Sequence, residues 1–295
     1  MHTKRMAFLY GILVAILWGL SFLSIKVVVT VLPPMTLAAA RFIVACAVLP
    51  VIAWLAGEDL RIARRDVPVL VLGGILGVTL YFYFENNGIL LLSASESSII
   101  IGTIPVVSVI AERIFLGTRL PGRVYTGSIL SFAGVALIVL RPSGSSSSPL
   151  GYLYMVGAVA AWVAYTFATR NVSLRYGRLS VTFWQSFFGL IGCIPFALLE
   201  ARAWKAPGSA VVLNVLYLGL LCSAAGYWLY MAAMDHLGIG KASVFVNLIT
   251  VVAVVAAFFL LGDRMSLVQW IGAAVTLAGV YLATAVESRN PAAAS

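Results

Sequence analysis

A 295-residue chain that is 62% hydrophobic and only 10% charged is not a soluble enzyme, since soluble domains run at roughly 45–50% apolar and about 25% charged. Its net charge of +9 does not point to nucleic acid, because the lysines and arginines occupy short loops between apolar runs and form no continuous basic stripe. Cys46, Cys193 and Cys222 lie inside apolar stretches with neither metal-ligand nor disulfide spacing, so they read as buried free thiols and no cofactor is expected.

A bilayer core is crossed by about 20 apolar residues. The chain holds ten such runs, over 7–29, 34–56, 67–91, 94–116, 121–140, 150–173, 179–200, 210–235, 240–262 and 266–286. The first follows Lys4 and Arg5 as a leader would, but it continues to about Leu32 without a convincing small-residue cleavage site. It therefore predicts a retained membrane helix. Most runs are separated by turn or charge signals: Pro33-Pro34, Gly57-Glu58-Asp59, Pro121-Gly122, Gly177-Arg178, Pro207-Gly208 and Gly262-Asp263-Arg264. The low-complexity stretch 143–149 reads as a flexible link between a first unit, 1–142, and a second, 150–288, with 289–295 as a tail.

The two units resemble each other. Trp18 recurs as Trp162, Lys26 as Arg170, Tyr81 as Tyr227 and Ser97 as Ser243. Gly117, Arg119, Gly127, Ala133 and Gly134 recur as Gly262, Arg264, Gly272, Ala278 and Gly279, all at offsets between 144 and 146. Lys and Arg bias in short loops sets orientation. One face collects Lys4, Arg5, Arg61, Arg64, Arg65, Arg113, Arg119, Arg123, Arg175, Arg178, Lys241 and Arg289; the other collects Arg141, Arg202, Lys205 and Arg264. Twelve against four puts both termini in the cytoplasm. Five helices per unit is odd, so the second unit enters from the opposite side. The expected fold is an all-α polytopic membrane protein, ten transmembrane helices arranged as two inverted five-helix repeats. Inverted repeats of this kind build a midplane substrate site and exchange conformations about it.

Each unit opens with a Trp before a small or hydroxylated stretch, Trp18-Gly19-Leu20-Ser21 and Trp162-Val163-Ala164-Tyr165, and Ala40-Arg41-Phe42 follows in the first. Each closes with a Ser segment, a Gly-x-Arg turn and an Ala-Gly-Val helix: Ser97, Gly117-Thr118-Arg119 and Ala133-Gly134-Val135, then Ser243, Gly262-Asp263-Arg264 and Ala278-Gly279-Val280. In combination with the inverted repeat, this resembles the EamA-type, ten-helix branch of the drug/metabolite transporter superfamily over nearly the whole chain. In that family a Glu usually follows the Gly of each turn; here the positions hold Thr118 and Asp263. The resemblance implies a metabolite exporter, and the aromatic-rich third run looks most like the aromatic amino-acid exporters.

The third run carries Tyr81-Phe82-Tyr83-Phe84-Glu85-Asn86-Asn87. Polar residues inside a span usually face a bundle interior or a watery cavity, so Tyr81, Tyr83, Glu85, Asn86 and Asn87 are expected to bind substrate. An interfacial aromatic belt with two helix-bridging amides is the competing reading. Tyr227 and Tyr230 hold the equivalent place in the eighth run, with Met231, Ala232 and Ala233 where the acid and amides stood. Trp18 and Trp162, mid-span, offer indole faces to an aromatic or cationic ligand, and Ser21 and Tyr165, three residues on, share their faces; ordinary helix packing is the alternative. Ser243 and Asn247 in the ninth run, with Ser97, Ser98 and Thr103 in the fourth, supply small polar groups. Pro105 breaks the fourth run's hydrogen-bond ladder, whereas Val251, its near-equivalent, does not. Arg41, embedded in the second run, can bind a substrate carboxylate or, as a structural residue, snorkel to the interface or pair with a backbone carbonyl; Lys26 and Arg170 read as anchors, Glu96 as a cap and Glu112 as an interfacial charge. Glu85 is the most deeply placed acid and the candidate for a coupling proton.

The expected function is export, across the inner (plasma) membrane, of aromatic and other apolar amino acids and related metabolites. The protein is expected to act as a monomer in the lipid bilayer, with a small-molecule substrate and no nucleic acid. The alternative is proton-coupled efflux of hydrophobic cationic drugs. An enzyme is disfavoured, because there is no Gly-rich nucleotide loop or metal-ligand cluster and His2 and His236 lie near membrane edges.

Overall fold

Continuous apolar sequence folds as helix because a helix satisfies its own backbone polar groups. The computed structural model describes residues 2–92, 97, 100–118, 120–139, 148–173, 175–261 and 267–284, and all regular structure among them is helical. The first five helices are α1 His2–Val29, α2 Pro34–Leu55, α3 Arg64–Leu91, α4 Ile104–Leu116 and α5 Gly122–Val139. The remainder are α6 Pro149–Ser173, α7 Arg178–Leu199, α8 Ser209–Leu237, the short α9 Ile239–Ser243, α10 Val246–Leu261 and α11 Leu267–Thr284. Among the described residues six helices, α1, α2, α3, α6, α7 and α8, are long and apolar enough to cross a membrane. Leu13, Ile43, Leu153 and Leu213 point outward from them, as lipid contact requires.

The helices begin and end where local chemistry directs. Pro34 and Pro105 sit in first turns, where a missing N–H costs nothing. Gly117 stops α4 in the left-handed region at φ +63°, open to glycine without strain. Helices α2 and α7 cap each other. Glu200, just past α7, accepts the Met35 and Thr36 amides at 3.1 and 2.8 Å. Glu58, just past α2, accepts the Ser180 amide at 3.0 Å. Each carboxylate meets the positive end of the other helix, which holds the pair antiparallel. Lys26 donates to the Ile89 carbonyl at 2.7 Å and the Leu92 carbonyl at 3.3 Å, so it caps the C-terminus of α3 rather than anchoring a helix in the interface.

Helices α5 and α11 pack antiparallel, backbone against backbone. A Cβ on Gly127 would lie 2.6 Å from the Ala283 nitrogen, and one on Gly134 would lie 2.5 Å from the Thr276 nitrogen. The recurrence of glycine in both units thus has a packing cause. Helix α1 packs on α8 and α10, and α3 packs on α6.

Two runs expected to be continuous are broken. In the fourth, Gly102 and Thr103 form a turn between helical Ile101 and α4. In the ninth, Val244 and Phe245 separate α9 from α10, with i→i+3 bonds from the Asn247 and Leu248 amides to the Val244 and Phe245 carbonyls. Pro105 accompanies the first break, as the sequence predicts. The second break has no proline. Glu96, Ser98, Arg119, Arg141, Arg289, residues 143–147 of the link and the Gly262-Asp263-Arg264 turn fall outside the described residues.

Candidate functional site

The two longest compound helices change pitch in the middle. Helix α3 is π-helical over Ile75–Leu80 and returns to α-helix at Tyr81. Helix α8 is π-helical over Leu218–Ala225 and returns at Gly226. Wider π turns redirect carbonyls and side chains and recur at functional sites. Each π stretch accepts a bond from an aromatic residue of the other unit: Tyr227 Oη donates to the Gly77 carbonyl at 2.6 Å, and Trp18 Nε1 donates to the Cys222 carbonyl at 3.0 Å. Glycine in or beside each π stretch lets an aromatic side chain pack close to the backbone. A Cβ at Gly77 would lie 2.5 Å from the Tyr165 ring, and one at Gly226 would lie 2.5 Å from Trp18 Nε1.

These features frame a cavity. Helix α1 contributes Trp18, Ser21 and Phe22; α2 contributes Arg41; α3 contributes Tyr81, Phe82 and Glu85. Trp162 comes from α6 and Tyr227 from α8. Ile101 and Ile104 flank the first helix break, and Val246 and Ile249 follow the second. Residues just after both π stretches, Tyr81 and Tyr227, and residues beside both breaks therefore line one cavity.

Its aromatic wall is built of edge-to-face and tilted ring pairs. Trp18 and Trp162 stand 5.3 Å apart at 88°, and Trp162 lies 5.0 Å from Tyr81 and 5.8 Å from Tyr227. Such geometry adds to plain area burial and fixes the rings. The units differ chemically, however: Trp18 Nε1 is bonded, whereas Trp162 Nε1 has no hydrogen-bond partner among the described residues.

Two charged groups share the wall. Glu85 is 5% exposed, and its Oε1 accepts Tyr81 Oη at 2.7 Å. Arg41 is 2% exposed, donates through Nε to Ser223 Oγ at 2.8 Å, and lays its guanidinium 4.4 Å from the Phe82 ring centre. Arg41 does not reach the interface, one of the alternatives the sequence left open. It lies on the face of α2 that also buries Ala38, Phe42 and Ala45, so the side chain turns inward towards α8.

Of the residues singled out from sequence, Trp18, Ser21, Tyr81, Glu85, Trp162 and Tyr227 line the cavity. Tyr165 and Tyr230 stand against Trp162, at 5.4 and 5.3 Å between ring centres, outside the lining. Tyr165 Oη donates to Gln185 Oε1 at 3.1 Å. The others lie elsewhere. Asn86 Nδ2 bonds the Pro34 carbonyl at 2.9 Å and ties α3 to α2, while Asn87 Nδ2 bonds the Tyr83 carbonyl of its own helix at 2.7 Å. Tyr83 packs against Tyr154 and Phe196. Ser243 Oγ bonds the Gly240 carbonyl, and Asn247 Nδ2 bonds Ser131 Oγ at 2.6 Å, joining α10 to α5. Phe82 belongs to the aromatic run of α3 but carries no distinguishing signal in the sequence, and nor do Phe22, Ile101, Val246 and Ile249; Ile104 is marked only by the adjacent Pro105. Glu112 is buried rather than interfacial, because its Oε2 accepts the Gly240 amide at 2.9 Å and joins α4 to α9.

Helices carrying a small aromatic-rich cavity between two similar units define a membrane transporter class, and comparison with known proteins identifies which. The sequence matches the EamA-like transporter family over residues 5–140 and 149–285. This chain belongs to that family and is a multi-pass membrane transporter. An uncharacterized transporter of Archaeoglobus fulgidus is 31% identical over 90% of this chain and 94% of its own. A probable terminal-alkyne amino-acid exporter of Streptantibioticus cattleyicolor is 28% identical, covering 92% of this chain and 91% of its own. A probable amino-acid metabolite efflux pump of Escherichia coli is 25% identical over 92% of each. One solved crystal structure superposes with a TM-score of 0.77 at 22% identity, over 94% of this chain and 96% of that one, which speaks for the fold.

Proposed function

We propose that this transporter exports amino acids, aromatic and other apolar ones, and related small metabolites through the central cavity by alternating access. The observation that carries the reading is the cavity wall, where indole, phenol and aliphatic surfaces surround one carboxylate and one guanidinium. That lining suits a small ligand with an apolar side chain and a polar head. Two relatives named as amino-acid or amino-acid metabolite exporters support it. In this reading Trp18, Ser21, Tyr81, Glu85, Trp162 and Tyr227 contact substrate, with Tyr165 and Tyr230 holding the indoles.

The chain is proposed to form ten transmembrane helices as two inverted repeats, 1–142 and 150–288. It would act as a monomer in the inner membrane, with both termini in the cytoplasm. The paired π stretches, the paired helix breaks and the reciprocal caps of α2 and α7 support a two-fold relation. Bending at Gly102-Thr103 and Val244-Phe245 would open the cavity to one face and then the other. The Glu112 contact to Gly240 would hold α4 and α9 together at the end carrying Arg113 and Lys241.

Efflux of hydrophobic cations by proton coupling is the second reading, favoured by the burial of Glu85 among aromatic rings and opposed by Arg41 in the same cavity. Counterflow in proteoliposomes separates the two. Labelled aromatic amino acid is followed into vesicles preloaded with single amino acids, a quaternary ammonium dye or a sugar phosphate. Stimulation by apolar amino acids without a pH gradient is expected. Dye transport that needs a proton gradient and collapses in Glu85→Gln would establish the second reading instead.

A further inference from the structure

Arg41 and Glu85 form an unusual pair: both are buried, both line one cavity, and they are not bonded to each other. Among the described residues the ion pairs join Arg61 to Asp59, Arg65 and Arg175 to Asp66, and Arg178 to Asp235, all outside the cavity. Each cavity charge instead takes one neutral partner, Ser223 for the guanidinium and Tyr81 for the carboxylate. Burying a charge is costly unless it is paired and hydrogen-bonded. A ligand of one charge would satisfy one of these groups and leave the other uncompensated in a low-dielectric site. A ligand carrying both charges completes both pairs and enters with no net charge.

Building on the amino-acid reading above, we propose that the cavity selects zwitterions, with Arg41 receiving the carboxylate and Glu85 the ammonium of one α-amino acid. The guanidinium geometry supports this assignment. Its Cζ lies 4.4 Å from the Phe82 ring centre and its Nε is held by Ser223. Its terminal Nη groups, which make no hydrogen bond or ion pair among the described residues, form the planar fork that binds a carboxylate bidentately. Glu85 stands beside the aromatic wall, where Tyr81 and Trp162 are 5.0 Å apart, so an ammonium at the carboxylate also meets π faces that attract cations. Ile101, Ile104, Val246 and Ile249 then face the side chain. Their origin at the two helix breaks couples side-chain contact to the segments that bend.

The test compares phenylalanine with its two single-charge analogues, 2-phenylethylamine and 3-phenylpropionate, as competitors of labelled phenylalanine exchange by the full chain in proteoliposomes. Each analogue is expected to compete about thirtyfold or more weakly, the effect of leaving a buried charge unpaired. Arg41→Gln should abolish the discrimination against the amine while keeping that against the acid. Glu85→Gln should do the reverse, and Arg41→Lys should retain part of the carboxylate preference. The wild-type comparison needs no variant, so misfolding of either substitution leaves the test intact. Equal competition by the analogues would overturn zwitterion selection and leave amino-acid transport standing. Absence of exchange with every amino acid would overturn the transport reading, and this proposal with it.

Discussion

Gly279→Ala tests whether backbone contact between α5 and α11 braces the structure. A Cβ at Gly279 would lie 2.7 Å from the Gly127 carbonyl oxygen and nearer still to the Ser131 amide. Ordinary contact begins at about 3.5 Å, so the helices must separate by at least about 0.8 Å, and no rotamer change relieves a clash with backbone. A gap of that size forfeits about a quarter to a half of each contact well it opens, here along the Gly127–Ala283 and Gly134–Thr276 approaches. Overpacking of this kind costs about 1–3 kcal/mol. At about 2–4 °C per kcal/mol for a chain of comparable size, the melting temperature should fall by about 2–12 °C. The assay is thermal unfolding in detergent, read by a maleimide dye that labels Cys193 and Cys222, both 0% exposed in the fold. Gly122→Ala is the control, since nothing lies within 4 Å of its added Cβ. Neither α5 nor α11 lines the cavity, so exchange per folded molecule should persist. Gly279→Ala melting together with the control would refute the reasoning.

Glu200→Ala removes the acceptor of the Met35 and Thr36 amides and of the Thr36 hydroxyl; a loss of about 1–2 kcal/mol should appear in the same melt, with Glu200→Gln intermediate, and equal melting of all three would exclude a capping role. Tyr227→Phe removes the buried 2.6 Å bond to Gly77 and should cost about 1–3 kcal/mol; an unchanged melt would mean that this bond does not hold the π stretch of α3. Glu112→Ala strips the Gly240 amide of its acceptor and should weaken the α4–α9 contact by about 1–3 kcal/mol. Alkylation of an Ile104→Cys probe in a background without native cysteines should then speed up about tenfold, and an unchanged rate would remove Glu112 from the closure.

The sequence by itself determined what depends on neighbouring residues and on total composition. Apolar runs of bilayer length, interrupted by Pro33-Pro34, Gly177-Arg178 and Pro207-Gly208, fixed α2, α7 and α8 nearly to their observed ends, because helices in such sequence are limited only by where the punctuation falls. The repeat marked Gly127, Gly134, Gly272 and Gly279, whose shared cause is one close helix contact, and it marked Trp18, Tyr81, Trp162 and Tyr227, which meet at the cavity. The tertiary structure alone decided which polar groups face that cavity. Helices apolar on every side carry no amphipathic stripe, so nothing local distinguishes Glu85, which lines it, from Asn86 and Asn87, which bond the Pro34 and Tyr83 carbonyls. Arg41 turns inward because Ser223 and Phe82 await it, and Trp18 finds its acceptor at Cys222, partners 182 and 204 residues away for Ser223 and Cys222. The break between α9 and α10 carries no proline, and the π stretches no local motif. These arise where packing between helices outweighs the regular hydrogen-bond ladder, and that balance is set only once the two halves are brought together.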